Sequence, residues 1–197
     1  MKQIKRYHKN GKLRVHYYEL NGEYNGEYKS WYDNGQLNSH AHYTDGKRHG
    51  EYKAWYPNGQ LYVHTNYEHG QRHGEYKEWQ PSGELYMHTN YEHGQYHGER
   101  KLWYPNGQLY VHTNYEHGQH HGEYKQWHNN RELYIHAHYV NGEYHGEYKA
   151  WNRRGKLTNH SFWAHDREVT KHVKNLITDI NHITHEERTL IKLAVGC

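Results

Sequence analysis

The 197-residue sequence is poor in cysteine, phenylalanine and aliphatic side chains, and each shortage excludes a class of structure. Its single cysteine, Cys197, rules out an internal disulfide and a zinc site made of cysteines alone. With one phenylalanine and few leucines, isoleucines and valines, the chain cannot fill a thick core. No apolar run is long enough for a transmembrane segment or the core of a signal peptide, so we expect a cytoplasmic protein.

Aromatic and polar side chains take the place of the missing aliphatic ones: the chain has 23 tyrosines, 24 histidines and 7 tryptophans. Low aliphatic content often indicates disorder, but the strict repetition described next argues against it. We therefore expect a thin sheet covered by aromatic rings whose polar atoms stay hydrated. The formal net charge of +3 is smaller than that of typical nucleic-acid-binding domains.

Residues 1–163 repeat a 24-residue unit, shown best by HGEYKAWYPNGQLYVHTNYEHGQR at residues 49–72. A partial first repeat covers residues 1–24, and further copies begin at residues 25, 49, 73, 97, 121 and 145. The tryptophan of the unit recurs at Trp31, Trp55, Trp79, Trp103, Trp127 and Trp151. A turn glycine recurs at Gly11, Gly35, Gly59, Gly83, Gly107 and Gly155. This period is typical of a repeat array, in which each unit packs on its neighbours.

Each copy contains two chain reversals. Pro57-Asn58-Gly59 suits a type I turn with proline at its second residue and glycine in the left-handed position of a G1 bulge. The other reversal, His69-Gly70, reads Asn-Gly or Asp-Gly in other copies, which are strong hairpin signals. The segments between them favour β-strands. The predicted fold is mainly β: an elongated, single-layer antiparallel meander of tandem β-hairpin repeats.

The turn geometry also predicts which side chains share a face. A three-residue turn after Tyr56 places Trp55 opposite Leu61, Lys53 opposite Val63 and Tyr52 opposite His64, whereas a two-residue turn shifts this register by one. The three-residue register gives one face of Trp, Leu, Val and Thr and another of Tyr and His. We assign the tryptophan and turn-glycine columns to structure, and the Tyr/His face to binding. The candidate binding residues are Tyr52, Tyr62, His64, Tyr76, Tyr86, His88, Tyr110, His112, Tyr134 and His136.

Three segments depart from the pattern. Arg131 replaces a turn glycine, so that turn must either strain by about 1 kcal/mol or move its left-handed residue onto an asparagine. Residues 1–18 hold six lysines and arginines and no acid, which we interpret as protection of a sheet edge, with a phosphate-binding arm as the alternative. In residues 164–197, Asp166 is a candidate cap for one helix and Thr184 for another. We predict a helical C-terminal cap there, with a partner-binding tail as the alternative.

The box GEYKxWYPNGQL, followed by NYxxGQxxG, resembles the MORN repeat, in the variant found in YwqK-type antitoxin proteins and in repeat proteins of large DNA viruses that infect amoebae. The resemblance covers residues 1–163. Its repeat-opening glycines are Gly26, Gly50, Gly74, Gly98, Gly122 and Gly146. The resemblance implies a β-hairpin array used for protein contacts or, in some members, for binding at a membrane surface, and it implies no catalysis.

No motif in the repeats indicates an active site, because a repeat distributes its groups evenly whereas an active site needs them to converge. We expect no metal site, since histidines of one column lie about 9.6 Å apart in successive hairpins and cannot share a zinc ion. Histidines near the turns, such as His69 and His73, could chelate a metal only adventitiously. No cofactor is expected.

The function that the sequence favours is a non-enzymatic scaffold that binds a protein partner or another copy of itself. The alternatives are a peripheral module for anionic lipid surfaces and an antitoxin-like or nucleic-acid-binding protein. Nucleic acid is disfavoured because each GEYK lysine follows an acid two residues earlier, which leaves no uncompensated basic stripe in the central repeats.

Overall fold

The computed structural model describes residues 1–170, which form strands connected by tight turns. The strands of the N-terminal half are β1 (Lys2–Tyr7), β2 (Leu13–Leu20), β3 (Glu23–Trp31), β4 (Leu37–Thr44), β5 (Lys47–Arg48), β6 (Gly50–Trp55), β7 (Leu61–Glu68), β8 (Gln71–Trp79) and β9 (Leu85–Glu92). The others are β10 (Gln95–Trp103), β11 (Leu109–Glu116), β12 (Gln119–Trp127), β13 (Leu133–Val140), β14 (Glu143–Tyr144), β15 (Gly146–Trp151), β16 (Leu157–Ala164) and β17 (Arg167–Glu168). None of the described residues forms a helix long and apolar enough to cross a membrane.

The described chain divides into two compact units. The first comprises Met1–His97 with Pro105–Gly107, and the second comprises the remaining described residues. In the first unit β1, β2, β3 and β4 pair antiparallel in turn, β4 then pairs with both β5 and β6, and β6, β7, β8 and β9 pair in turn. In the second unit β10, β11, β12 and β13 pair antiparallel in turn, β13 then pairs with both β14 and β15, and β15, β16 and β17 pair in turn. The predicted antiparallel meander of β-hairpin repeats is confirmed in each unit.

Both predicted turn types are present. The Gly59 amide donates to the Tyr56 carbonyl at 2.9 Å, and the Tyr56 amide donates to the Gln60 carbonyl at 2.8 Å. Gly59 has a φ of 84°, in the left-handed region that the G1 bulge requires. At the other reversal His69 and Gly70 both have positive φ, of 50° and 86°, as in a type I′ turn.

The register beyond the turn differs from the predicted one. Trp55 lies opposite Leu61 as expected, but the next pairs are Ala54 with Val63, Lys53 with His64 and Tyr52 with Thr65. The predicted pairs Lys53–Val63 and Tyr52–His64 are therefore wrong. The cause is a one-residue slip that leaves Tyr62 without a partner in β6, and such a bulge moves every later side chain to the other face.

The repeat-opening glycines lie at a second irregularity and not at a reversal: four are inside a strand, and Gly50 and Gly146 are the first residues of β6 and β15. In the pairing of β7 with β8, Thr65 lies opposite Tyr76 and Asn66 opposite His73, so Gly74 and Glu75 have no partner in β7. Gly74 has a φ of 75°, which glycine adopts without strain. Each repeat thus uses one glycine to bend a strand in addition to the two that reverse the chain.

The least exposed side chains include a row of small ones, one in each of several repeats. Thr65, Thr89 and Thr113 are each 1% exposed, and Ala41 and Ala137 hold the equivalent places with equally little exposure. Thr65 lies directly opposite Tyr52 of β6 and Tyr76 of β8 in the register of the sheet. Burial on a thin sheet is thus achieved by tyrosines flanking a small residue, as expected from the aromatic composition.

Side chains of the Pro-Asn-Gly turns join one repeat to the next. The Asn58 amide nitrogen donates to the Pro81 carbonyl at 2.9 Å, and its side-chain oxygen accepts from the Gln60 amide at 3.0 Å. The Tyr56 hydroxyl donates to the Trp79 carbonyl at 2.9 Å. Equivalent asparagine bonds join the turns at residues 10 and 33, 34 and 57, and 130 and 153.

The structure shows the conformation of two of the three segments that depart from the repeat pattern. Arg131 itself takes the left-handed conformation, with a φ of 73°, so its turn is the strained one of the two expected forms. Asp166 does not cap a helix: it lies in the turn between β16 and β17, and its carboxylate accepts a hydrogen bond from the Tyr144 amide at 2.7 Å. The hairpin pattern therefore continues through Glu168. The rest of the predicted helical cap, residues 171–197, lies outside the described residues.

Candidate functional site: two chemically different faces

Alternation along the strands divides the side chains of each hairpin between two faces. We call the tyrosine face the one that carries Tyr52, Thr65 and Tyr67, and the histidine face the one that carries Glu51, Lys53 and His64, together with their equivalents in other repeats. On the tyrosine face the Tyr52 and Tyr67 rings lie 5.8 Å apart, edge to face. The candidate residues Tyr52 and His64, which the sequence places together, thus belong to opposite faces.

The bulged tyrosine of each repeat lies at the border of the tyrosine face. Tyr62 contacts the Tyr56 ring at 4.9 Å, and the equivalent Tyr110 contacts Tyr104 at 4.7 Å. The Tyr110 hydroxyl accepts a hydrogen bond from the Gln126 side chain, which also accepts one from Tyr124 of the tyrosine face. Among the other members of this column, Tyr86 and Tyr134 are, like Tyr62, between 37% and 40% exposed.

The central tyrosines of this face are far less accessible than the bulged ones. Tyr76 is only 4% exposed, and its hydroxyl donates to a Glu78 carboxylate oxygen at 2.8 Å. Burial raises the pKa of Tyr124 to about 12, so its hydroxyl remains a hydrogen-bond donor at neutral pH. Of the predicted binding residues on this face, Tyr62, Tyr86 and Tyr134 offer surface, whereas Tyr76 is part of the packing.

Two arginines that the sequence interpretation overlooked are inserted among the tyrosines of the first unit. The Arg48 guanidinium carbon lies 4.7 Å from the Tyr52 ring centre and 5.2 Å from that of Tyr67. Arg72 repeats the arrangement over Tyr76 and Tyr91, at 4.9 and 5.3 Å. Arg48 also donates to the Tyr43 and Tyr67 hydroxyls. Their column reads Tyr24, Arg48, Arg72, Tyr96, His120 and Tyr144, and this variation is the signal that could have drawn attention to them.

These two arginines lack an acidic partner. Within residues 1–170, neither guanidinium has a carboxylate oxygen within the 4.0 Å of an ion pair, and all the ion pairs found there involve lysine or histidine. Stacking on aromatic rings stabilises a guanidinium, and the N–H groups that do not donate to tyrosine hydroxyls can still bind a carboxylate. The first unit therefore presents two uncompensated cations on a half-buried aromatic surface.

On the histidine face, in contrast, the charged side chains are paired with one another. One Glu51 oxygen lies 2.6 Å from the Lys53 ammonium and 2.9 Å from the His64 Nε2. Hydrogen bonding by Lys53 holds the pKa of Glu51 below its usual value despite partial burial. Lys53 lies in the same strand as Glu51, and His64 lies in the neighbouring strand. The same trio occurs at residues 27, 29 and 40; 75, 77 and 88; 99, 101 and 112; 123, 125 and 136; and 147, 149 and 160.

Two of these trios have a second histidine beside them. Glu27, His40 and His42 each offer a ligand atom within 4.8 Å of the others, and so do Glu123, His136 and His138. We expect no metal site from the spacing between histidines of successive repeats and from the histidines near the turns. Two histidines within one strand are a different arrangement, to which that argument does not apply. That expectation stays a prediction.

Four repeats match the family model described as MORN repeat variant, at residues 24–45, 48–69, 72–93 and 96–117. The matches recur every 24 residues and coincide with hairpins of the structure, so these four segments are similar to MORN-variant repeats. A comparison with curated proteins found no match. The narrower resemblance to YwqK-type antitoxins and to viral repeat proteins stays an expectation.

Proposed function

We propose that these MORN-variant repeats form a non-enzymatic protein-interaction module whose tyrosine face binds a carboxylate-rich protein segment. MORN repeats in general mediate protein or membrane interactions. The observation that carries the proposal is the pair Arg48 and Arg72, stacked on tyrosine rings without an acidic partner within the described chain. The lysines of the histidine face, in contrast, are already paired with glutamates.

The chemistry around the two arginines suits a protein ligand. Tyrosine and arginine are enriched in protein interfaces, where tyrosine offers a large contact area at little cost in rotamer entropy. Tyr62 and Tyr86, which are 37% and 40% exposed, supply that area in the first unit. A planar guanidinium binds a carboxylate through two parallel hydrogen bonds, so an Asp- or Glu-containing segment would satisfy both the charge and the geometry.

The proposal is tested by fluorescence anisotropy with a short Asp/Glu-rich peptide and its Asn/Gln counterpart. We expect the full chain to bind the acidic peptide, the neutral peptide to bind at least tenfold more weakly, and the Arg48→Gln/Arg72→Gln variant to lose binding. The matched control is Lys53→Gln/Lys77→Gln, which removes the same charge from the histidine face and should bind as the unchanged chain does. Urea denaturation of both variants checks that they remain folded.

Two results would refute the proposal. One is equal loss of binding in the arginine and lysine variants, because binding would then depend on net charge and not on the tyrosine face. The other is flotation of the chain with phosphatidylserine vesicles without any binding of the acidic peptide, which would replace the proposal with a membrane-surface function. Light scattering of the unchanged chain distinguishes both from self-association.

A further inference from the structure

The hairpins of β4 and β13 differ from the other hairpins of the array at one position of the histidine face. They read His40-Ala41-His42 and His136-Ala137-His138, whereas β7, β9 and β11 read His-Thr-Asn at the same places. Residues two apart in a strand point to the same face, so each pair of histidines projects side by side. The ring centres lie 5.1 Å apart in the first pair and 5.4 Å apart in the second.

A glutamate lies across from each histidine pair. Glu27 of β3 is directly opposite His42, and its Oε1 lies 3.0 Å from the Nε2 of His40. In the second unit Glu123 is opposite His138 and lies 2.9 Å from His136. In each cluster two imidazole nitrogens and a carboxylate oxygen lie within 4.8 Å of one another. Ligands at about 2.0–2.2 Å from one ion lie a little over 3 Å apart, which side-chain rotations reach from this arrangement.

We propose that each of these two clusters binds one divalent transition-metal ion of the zinc class. Imidazole and carboxylate are ligands that zinc accepts, and two histidines with one glutamate leave a fourth position for water, as in open zinc sites. One site lies in each unit, four repeats apart along the chain. The ion would join β3 to β4, or β12 to β13, through side chains in addition to the backbone ladder.

In each cluster a lysine competes with the metal ion for the glutamate carboxylate. The Lys29 ammonium lies 2.6 Å from Glu27, and Lys125 lies equally close to Glu123. Both ammonium groups are on long, partly exposed side chains that can leave the carboxylate without breaking the fold.

The other hairpins supply internal controls. In the hairpin of β9 the equivalent residues are Glu75, His88 and Asn90, so the glutamate and one histidine are present without the second histidine. An amide in place of the second imidazole leaves only two good ligands. These hairpins should bind zinc much more weakly, and His42→Asn and His138→Asn reproduce their composition.

The test is equilibrium dialysis of the full chain against micromolar ZnSO₄, followed by elemental analysis. The chain carries Cys197→Ser, to remove the thiolate, and is prepared without a polyhistidine tag or a nickel column and is stripped with EDTA. We expect two equivalents of zinc for this chain, one for His42→Asn and none for His42→Asn/His138→Asn. The control His88→Asn should keep two.

Absorption of the Co²⁺ complex reports the coordination directly, since its visible bands depend on ligand number and type. We expect bands of equal shape from the two sites, lost in proportion to the zinc equivalents. Equal zinc binding by the unchanged chain and by His42→Asn/His138→Asn would overturn the proposal, because the metal would then be held adventitiously by other histidines. Absence of binding by the unchanged chain would also overturn it. Circular dichroism confirms that each variant is folded before its zinc content is interpreted.

Discussion

Arg131 shows the conformational requirement of one turn position. Glycines take positive φ at the equivalent positions of the other repeats, and Arg131 does the same with a φ of 73°. For a residue with a Cβ this conformation costs roughly 1 kcal/mol or more. The chain nevertheless forms the standard turn there, since the Arg131 amide donates to the His128 carbonyl at 3.0 Å. The pairing of the flanking strands thus outweighs the local strain.

Replacing this arginine should stabilise the protein. We expect Arg131→Gly to raise the free energy of unfolding by about 1 kcal/mol, because glycine removes the strain, less a part lost to the greater entropy of the unfolded chain. Urea denaturation measures the change. The reciprocal control is Gly11→Ala, where an added Cβ would meet nothing within 4 Å and only the φ of 81° opposes the substitution. A loss of stability in Arg131→Gly would show that contacts of the arginine side chain outweigh its backbone strain.

The position of a residue on a strand also decides what a histidine does. His64 pairs with a glutamate on the histidine face, whereas His120 lies on the tyrosine face, where it contacts the Tyr115 ring at 4.3 Å. Burial and the nearby Arg100 lower the pKa of His120. His42 lies beside a second histidine and a glutamate. The composition does not distinguish among the 24 histidines, whereas the strand register gives them several different sets of partners.

At the scale of the hairpin, the glutamate of each GEYK-type box is the centre of the histidine face. Glu75 lies 2.7 Å from Lys77 and 3.0 Å from His88. Hydrogen bonding by Lys77 lowers the pKa of Glu75, so the ionised form is favoured in the folded chain. The associated stability is present above the unfolded-state pKa of about 4.3 and is lost as the pH falls through the lower folded-state pKa. Because Glu75 is well exposed, the contribution should be small.

The pH dependence of one substitution tests this account. At pH 7 we expect Glu75→Gln to lower the free energy of unfolding by under about 1 kcal/mol, since the amide keeps the shape but not the charge. At pH 3 the difference from the unchanged chain should shrink, because protonation removes the same charge there. Urea denaturation at the two pH values measures both. A difference of equal size in acid would mean that packing, and not the charge, is lost. Measuring Lys77→Gln and Glu75→Gln/Lys77→Gln as well completes a double-mutant cycle, which separates the coupling of the two charges from their individual effects.

The hairpin also shows which features can be predicted from this sequence. The turns were predictable because Pro57 and Gly59 satisfy backbone requirements that few other residues meet. The register after the turn was not, since the bulged residue, Tyr62, is an ordinary strand residue and carries no such mark. One unmarked residue was enough to exchange the partners of Tyr52 and His64 and to divide the candidate surface between two faces.

The candidate site, like the register, could be predicted from the sequence only in part. The aromatic columns indicated a surface rich in tyrosine, but only the pairing of Tyr76 with two buried threonines shows why it is 4% exposed. Arg48 and Arg72 were overlooked because their column changes residue type from repeat to repeat, so it does not stand out as a column. The histidine pairs of β4 and β13 were overlooked because comparing repeats does not compare neighbours within a strand.

At the scale of the whole molecule, stability should follow the number of repeats. Each hairpin packs on those adjacent in sequence, and no described strand interrupts the meander within either unit. For such an array the free energy of unfolding is close to a sum over repeats and their interfaces. Shortening the chain by one repeat should therefore lower stability without changing the fold.

Deleting residues 49–72 tests this modularity. The deletion joins Arg48 to His73 and restores the local sequence Arg-His-Gly that occurs at residues 48–50 and at residues 72–74. We expect a folded protein with the same circular dichroism per residue and a lower denaturation midpoint. The control deletes residues 49–60, which leaves half a repeat, reverses the direction of the chain that follows and should abolish folding of this part. Loss of folding in the 24-residue deletion would contradict a modular array.

The asparagine bonds between successive turns have a direction. Asn34 donates to the Pro57 carbonyl in the turn of the next repeat, and Asn58 in that turn donates to the Pro81 carbonyl in the one after. A repeat with asparagine at this position carries a donor for its successor and an acceptor for its predecessor, so two identical copies of it fit together in sequence, whereas Ser82 replaces the asparagine in one repeat. A tandem duplication of 24 codons would add a unit whose contacts on both sides are already matched. The chain can thus lengthen in whole repeats without passing through a misfolded intermediate length.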